Sequence, residues 1–178
     1  RALAIFEGGS GGWGDGKWIR QQQPVAAVEP LVRYWEVSGD EEALEFAIAA
    51  TEGLIAQAPV LKIEPSGKFN GHMHSTLHGV WGVAHLGLAI DQPRYLEWAK
   101  RVYDYATTQG IGTGWLAAAT WSSEVRLLSE MCATSDLVSI ASCLAQAGYP
   151  EYWDHLERYM RNMIVPSQFS LTPEYVAL

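Results

Sequence analysis

The sequence predicts an all-α protein built from consecutive helical hairpins. Three observations support this fold class. Apolar residues recur at spacings of three and four along most of the chain, which is the period of a helix buried on one side. Gly, Pro and Asp interrupt this pattern at regular points. A break followed by a helix with a bulky residue and an acid in its first turns occurs three times, at Asp40–Ala47, Gln92–Ala99 and Gly148–Asp154.

The spacing of this repeat indicates an array of hairpins. Its copies lie about 50 to 60 residues apart, the length of one hairpin with its connectors. A tight turn links the two helices of a hairpin, and a longer loop links one hairpin to the next. We expect an array like the (α/α)6 toroid, in which inner and outer helices alternate. A closed ring needs about twice this length, so we expect a half or incomplete toroid: a fragment, an open solenoid, or a protomer that closes as a homo-oligomer.

Six helices are expected within a single domain of 178 residues. The first lies after Pro24 and ends before Gly39. The other five are expected at Glu41–Ala58, from His74 or Ser75 to Ile90, and at Arg94–Gln109, Glu130–Ala147 and Glu151–Met163. Residues 1–23 form a Gly-rich leading loop, for which we favour a linker. Trp13 and Asp15 within it leave a binding loop as the alternative.

Composition excludes several classes of partner. Hydrophobic residues make up 48% and charged residues 18%, which is typical of a globular protein. The net charge of -8 argues against nucleic acid or an anionic membrane as the main partner. No apolar run approaches the roughly 20 residues that span a bilayer. Cys132 and Cys143 fall in one predicted helix, where they cannot bond to each other, so we expect a reducing, cytoplasmic location.

Histidines cluster at the start of the third predicted helix. His74 and His78 are four residues apart and therefore share a face, which Trp81 continues. His72 and Asn70 lie in the loop just before it. The pattern fits a clamp for sugar hydroxyls, and it also has the spacing of metal ligands. We favour function over simple capping and packing, and sugar binding over a metal.

A second candidate site opens the fifth predicted helix. Glu130 and Cys132 flank one residue there, and Asp136 lies one turn later on the same face as the cysteine. A thiol at a helix start is expected to have a lowered pKa, which favours a nucleophile or a metal ligand. A nearby carboxylate can move a proton. The alternative, a capping glutamate and a small buried cysteine, is equally consistent with the residue types.

The connector before this helix carries aromatic residues and an acid. Trp115 and Trp121 with Glu124 fit a sugar subsite, where a ring stacks on an indole beside a catalytic carboxylate. Two tryptophans that only cover the helices are the alternative.

These motifs resemble those of β-L-arabinofuranosidase-like proteins, of the six-hairpin glycosidase superfamily. One stretch is Ser129–Ala133, which contains the Glu-x-Cys motif, followed by Tyr152–Asn162. The other is Gly71–Gly79, with Gly82 and Gly87 after it. Together the similar segments cover about Asn70 to Phe169. The resemblance implies an (α/α)6 barrel and retaining hydrolysis of a glycosidic bond.

The resemblance also implies a zinc ion. In the enzymes of this family the Glu and Cys of the motif bind zinc with a later pair of cysteines, one of which is the nucleophile, and a separate Glu is the acid/base. Glu130 and Cys132 alone carry over to this chain. It has no Cys-Cys pair, Cys143 lies in the same helix as Cys132 and cannot replace the pair, and Glu124 is too close to Glu130 to match the acid/base.

We therefore predict a carbohydrate-active enzyme, with a glycoside hydrolase as the leading hypothesis. Its substrate is an oligosaccharide or glycoside, with carboxylates as acid, base or nucleophile, tryptophans as platforms and histidines as hydroxyl ligands. A sugar epimerase or a polysaccharide lyase on the same fold is the first alternative, because epimerases of this shape use histidines as proton shuttles. A non-catalytic helical-repeat scaffold is the second.

Overall fold

The computed structural model describes residues 26–56, 63–121 and 127–168. These residues contain six α-helices, a π-helical turn and three isolated β-bridges, with no strand. The elements are α1 (Val28–Ser38), α2 (Glu41–Ala56), α3 (Met73–Ala89), α4 (Pro93–Thr107), α5 (Met131–Gln146), α6 (Glu151–Tyr159) and the π-helical turn Met160–Ile164. The predicted all-α fold class is thus confirmed for the described residues. None of these helices has both the length and the apolar character that crossing a bilayer requires.

The breaks inside the hairpins lie where the sequence predicts them. Gly39 ends α1 with a left-handed backbone (φ 69°), and its N–H donates to the carbonyl of Trp35. Pro93 occupies the first turn of α4, where its missing N–H costs no hydrogen bond. Gly148, also at positive φ (101°), separates α5 from α6. Local backbone chemistry therefore sets these turns.

Helix bounds differ from the expected ones by a few residues. The third helix begins at Met73 because His72, just before it, is its N-cap. The last helix changes to π-helical geometry after Tyr159, so only its first part is α-helical. The expected end of the second helix, residues 57–58, and the leading loop lie outside the described residues.

The helices form two layers. In one layer, α3 packs between α1 and α5. In the other, α2, α4 and α6 each pack on the preceding helix of their own hairpin. Inner and outer rows of this kind occur in toroids and in open solenoids alike, so ring closure stays a prediction.

The central helix α3 is packed on several sides. Leu77, Val83 and Leu86 are fully buried in the core. At Gly82 a Cβ atom would lie 2.9 Å from the Cβ of Val28, so the missing side chain lets α1 approach α3 closely. This approach brings the acidic side chains of α1 against α3.

The two loops between hairpins repeat one turn. A β-bridge closes each turn, between Ile63 and Phe69 and between Gly110 and Leu116. In the first, the Glu64 N–H donates to the Lys68 carbonyl at 2.6 Å, and the Ile111 N–H donates to Trp115 in the same way at 3.0 Å. A glycine at positive φ occupies the same place in both, Gly67 and Gly114. The hairpin repeat therefore extends to the connectors.

Candidate functional site

The starts of α3 and α5 lie side by side because their preceding segments pair. The Met73 N–H donates to the carbonyl of Ala118 at 2.8 Å, and the Thr120 N–H donates to Gly71 at 3.1 Å. The Thr120 hydroxyl also accepts the Gly71 N–H at 3.0 Å. This short antiparallel pairing brings two of the predicted sites, the histidines and the Glu-x-Cys region, into one site.

A buried carboxylate joins two histidines at this point. His74 Nδ1 lies 2.7 Å from Asp136 Oδ2, and His78 Nδ1 lies 3.4 Å from Asp136 Oδ1. Asp136 is only 4% exposed, so the imidazoles replace water as its partners. We name these three residues the histidine–aspartate cluster.

The geometry of the cluster leaves one nitrogen of each ring for other partners. Both rings face Asp136 through Nδ1, which orients them and fixes a proton on that nitrogen. Neither Nε2 atom has a hydrogen-bond partner among the described residues. Both rings are half-buried, with 37% and 31% of their side-chain surface exposed, so their Nε2 atoms are candidates for binding or protonating a ligand.

The charge of Asp136 favours the protonated form of His78. The hydrogen bond that this carboxylate accepts raises the pKa of His78 above its ordinary 6.5 and outweighs burial, which lowers the pKa. Glu29 of α1 adds a smaller contribution in the same direction. The protonated form of His78 is therefore more stable than that of a free imidazole.

His72 links the starts of the two helices. Its Nδ1 accepts the backbone N–H of Ser75 as the N-cap of α3. The other nitrogen, Nε2, then carries the proton and lies 2.9 Å from Glu130 Oε2. Since Glu130 is itself the N-cap residue of α5, this contact holds the carboxylate at the mouth between the helices. His72 thus positions Glu130.

Cys132 lies beside Glu130 but is not an activated thiol. Its Sγ is 3.9 Å from Glu130 Oε2. Burial and the Glu130 charge raise the pKa of Cys132, although backbone N–H groups at the helix start oppose them. The sequence-based expectation of a lowered pKa was therefore wrong, because burial and a neighbouring anion outweigh the helix start. The second cysteine, Cys143, is buried in α5, which raises its pKa to about 12.

We expect Cys132 to react with iodoacetamide more slowly than free cysteine at about pH 8. Glu130→Gln removes the neighbouring charge and keeps an oxygen for His72, so this variant is expected to react faster. Mass mapping of the labelled peptides separates Cys132 from Cys143, whose burial makes it the internal control. A wild-type rate above that of free cysteine would contradict the raised pKa.

The described residues do not complete a zinc site. Zinc takes four protein ligands in structural sites, and three protein ligands plus a water or substrate in catalytic sites. The described part of the chain contains no group of three or more His, Cys, Asp or Glu side chains arranged to hold a metal ion. Glu130 and Cys132 alone supply two ligands, so we derive no chemistry through zinc, and the metal stays a prediction of the resemblance.

Two of the predicted tryptophans flank the site and the third does not contact it. The Trp121 ring stacks on His72 with centroids 6.2 Å apart, and Trp81 meets the His78 ring edge-on at 5.5 Å. Trp115 lies in the turn after α4, without a ring contact to the histidines. Asn70 is exposed, and its side-chain oxygen lies 3.4 Å from the Thr120 hydroxyl. Glu124, the remaining predicted catalytic residue, lies outside the described residues.

The sequence analysis missed the acidic residues of α1. His85, two helical turns beyond His78 on the same face of α3, lies between Glu29 and Glu36, with nitrogen–oxygen distances of 3.6 and 3.3 Å. Glu29, Arg33 and Glu36 follow the helical spacing of four and three, so they share a face of α1. This spacing was the sequence signal for an acidic helix face, but spacing alone does not reveal which helix that face packs against.

Comparison with known proteins gave no match to a family model, a curated protein or a solved structure. The resemblance to β-L-arabinofuranosidase-like proteins therefore stays a prediction from short motifs. A function for this chain rests on the geometry of its site.

Proposed function

We propose that this chain forms the acid–base centre of a carbohydrate-active enzyme in which histidines move protons, as in a sugar epimerase or aldose–ketose isomerase. The observation that carries the proposal is the histidine–aspartate cluster. In it one buried carboxylate orients two imidazoles through Nδ1 and leaves both Nε2 atoms for a substrate. Oriented imidazoles are the commonest proton-transfer groups of enzymes near neutral pH.

The two histidines take complementary roles. His78, whose protonated form the Asp136 carboxylate stabilises, is the candidate acid, and His74 is the candidate base. The base removes the proton from the carbon next to the carbonyl of an open-chain sugar, while the acid protonates the carbonyl oxygen, which gives an enediol. Return of a proton to the opposite face of that carbon gives the epimer, and return to the former carbonyl carbon gives the ketose. In each case the hydroxyl on the carbon that becomes the carbonyl gives up its proton. Atoms balance without a redox partner.

A sugar fits the surroundings of the cluster. Trp81 contacts the ring of His78, and Trp121 stacks on His72, whose ring in turn contacts His74. Trp121 is half exposed, which leaves much of its ring surface for a ligand. Indole surfaces beside polar side chains are typical of sites that stack the apolar face of a sugar ring.

Glycoside hydrolysis is the second candidate, and Glu130 favours it. Its side chain is 41% exposed and held by His72 at 2.9 Å, as an oriented catalytic carboxylate would be. Hydrolysis through carboxylates needs a second carboxyl group across the bond. Asp136 is buried between two histidines and suits that role poorly. The histidine mechanism therefore explains more of the site.

The test is isotope exchange in D2O with a panel of reducing sugars, followed by NMR. We expect deuterium at the carbon next to the carbonyl, together with an epimer or ketose. His74→Asn and His78→Asn retain a side-chain amide near the Nδ1 position but lose Nε2. Each is expected to lower the exchange rate by about 10²- to 10⁴-fold. His155→Asn is the matched control, since His155 contacts Tyr103 of α4 and not the cluster.

Hydrolysis of nitrophenyl glycosides separates the two candidates. The hydrolase would replace the histidine mechanism if the wild type released nitrophenol without isotope exchange and Glu130→Gln abolished that release. Exchange that survives both cluster variants would place the proton-transfer groups elsewhere. If the folded protein catalyses neither reaction, both candidates are wrong for this chain.

A further inference from the structure

A carboxylate at the mouth of the site has no role in the proton transfer at carbon. It is Glu130, since the histidine–aspartate cluster uses Asp136 instead. The proposed reaction also lacks a step, because it starts from an open-chain sugar. Free aldoses of five and six carbons exist in water mainly as cyclic hemiacetals, which have no carbonyl group. Opening such a ring is accelerated by a base that takes the proton of the anomeric hydroxyl.

Both the backbone and the side chain at Glu130 are held in place. The Ala118 N–H donates to the carbonyl of Leu128 at 2.7 Å, two residues before Glu130, and the Met73 N–H donates to the carbonyl of Ala118 at 2.8 Å. At the side chain, His72 Nε2 lies 2.9 Å from Oε2. A carboxylate that is oriented before the substrate binds loses little freedom in the reaction, which favours catalysis.

One oxygen of this carboxylate is left for a ligand. His72 bonds Oε2, and the Sγ atom of Cys132 is 3.9 Å from the same oxygen. Oε1 has no hydrogen-bond partner within the part of the chain that the structure describes. Because 41% of the Glu130 side chain is exposed, the carboxylate is open to solvent and can accept a hydrogen bond from a substrate hydroxyl.

An indole lies beside the same carboxylate. Trp121 stacks on the ring of His72, so His72 contacts both this indole and Glu130. Trp121 is half exposed, and the apolar face of a sugar ring can rest on it while a hydroxyl at the edge of the ring meets the carboxylate. The ring of His74 lies 6.4 Å from that of His72, so a sugar opened here is next to the cluster.

We propose that Glu130 opens the ring of a reducing sugar and that the chain therefore catalyses mutarotation, the interconversion of the two anomers. The choice of a sugar rests on the proposed function, whereas the fixed carboxylate and the exposed indole are independent of it. His72 is the positioning residue, and the open-chain product is the form on which the cluster acts.

The step balances on one side chain. Glu130 takes the proton of the anomeric hydroxyl, and the O–H electron pair forms the carbonyl as the bond between the anomeric carbon and the ring oxygen breaks. The ring oxygen keeps the electron pair of that bond and receives the proton from Glu130, which returns to its carboxylate form. One carboxyl group can serve both oxygens, because both are bonded to the same carbon. Closure on the other face of the carbonyl gives the other anomer.

Polarimetry of freshly dissolved α-D-glucose, α-D-galactose and α-D-xylose tests the proposal on the whole chain. We expect the wild type to accelerate mutarotation beyond the rate in buffer. Glu130→Gln keeps a side-chain oxygen for His72 but cannot take the proton, so the catalysed part of the rate is expected to fall by about 100-fold or more.

Glu151→Gln is the matched control. Glu151 also lies at the start of a helix, in the first turn of α6, and it is exposed. This variant removes the same charge in the other layer of helices and is expected to accelerate mutarotation as the wild type does. Circular dichroism compares the folding of both variants with that of the wild type.

Isotope exchange measures the proposed function separately, because mutarotation moves no carbon-bound proton. Mutarotation without exchange would support ring opening by Glu130 and reject the proposed function. A wild type that does not accelerate mutarotation would overturn ring opening, and exchange in that protein would leave the proposed function intact. Equal acceleration by the wild type and Glu130→Gln would also overturn the proposal. A loss confined to His74→Asn or His78→Asn would assign ring opening to the cluster instead.

Discussion

Asp136→Asn is expected to lower the rate of proton transfer at the histidine–aspartate cluster by about 10²- to 10⁴-fold. The asparagine side chain has the size of aspartate but no charge, and it offers one acceptor where two histidines now bond two carboxylate oxygens. One imidazole thus loses its orienting partner. His78 also loses the negative charge that stabilises its protonated form.

The same substitution is expected to reverse the shift of the His78 pKa. Asp136 supplies the largest contribution that raises this pKa, whereas burial lowers it. With the carboxylate removed and the burial retained, the pKa of His78 should fall below its ordinary 6.5. An NMR titration of the ring Cε1–H signals measures this change for each histidine.

The raised pKa also makes folding stability depend on pH. His78 binds its proton more tightly in the folded chain, so its contribution to the free energy of unfolding is complete below the unfolded pKa of about 6.5. The contribution is lost as the pH rises through the higher, folded pKa. Urea unfolding at a series of pH values measures this loss of stability. Asp136→Asn is expected not to show it. The control is Asp154→Asn, which changes an exposed acid of α6. A His78 pKa that stays above 6.5 in Asp136→Asn would contradict the assigned cause.

Local patterns were sufficient to predict the helices and their turns. Gly39, Pro93 and Gly148 act within a few residues of their own position, so their effect can be predicted without knowing the tertiary structure. The spacing of His74 and His78 likewise fixes a shared helix face. A toroid-like array of helices, in which the starts of the inner helices gather at one end, already predicts that Asp136 lies near these histidines. The hydrogen bond itself could not be predicted, since Asp136 is 62 residues from His74 and the contact depends on how α3 and α5 pack.

The sequence-based expectation for Cys132 failed for a related reason. A helix start is a local feature, and its lowering effect on a thiol pKa is easy to predict. Burial depends on the packing of both hairpins, and it is the largest cause of the raised pKa, followed by the Glu130 charge. The orientation of that charge depends in turn on His72, whose hydrogen bond to Glu130 crosses from one hairpin to the next.

The repeated turn in the two connectors shows a third reason why sequence alone does not predict the structure. Glu64 and Ile111 make equivalent backbone hydrogen bonds, although their side chains have nothing in common. A repeat that is maintained by backbone hydrogen bonds is visible in the sequence only where the backbone conformation requires a particular residue. Here that trace is Gly67 and Gly114, both at positive φ.

Gly67→Ala is therefore expected to destabilise the chain by about 3 kcal/mol or more. The backbone at Gly67 has φ 88°, which costs an alanine about 1 to 2 kcal/mol. The added Cβ would also lie 2.2 Å from the carbonyl oxygen of Arg101, a backbone atom of α4 that cannot rotate away. The turn must then leave α4 or α4 must shift, and either change loosens the segment that leads to His72 and the start of α3.

Gly53→Ala is the control, and it is expected to change the free energy of unfolding in the opposite direction. Gly53 lies inside α2 at a negative φ, and no atom lies within 4 Å of the position of an added Cβ. Alanine there should stabilise the helix by about 0.5 to 1 kcal/mol. Urea unfolding of both variants measures the two effects against one wild-type value. A loss below about 1 kcal/mol for Gly67→Ala would mean that the connector does not rest on α4, and the anchoring of the α3 start by this turn would then be wrong.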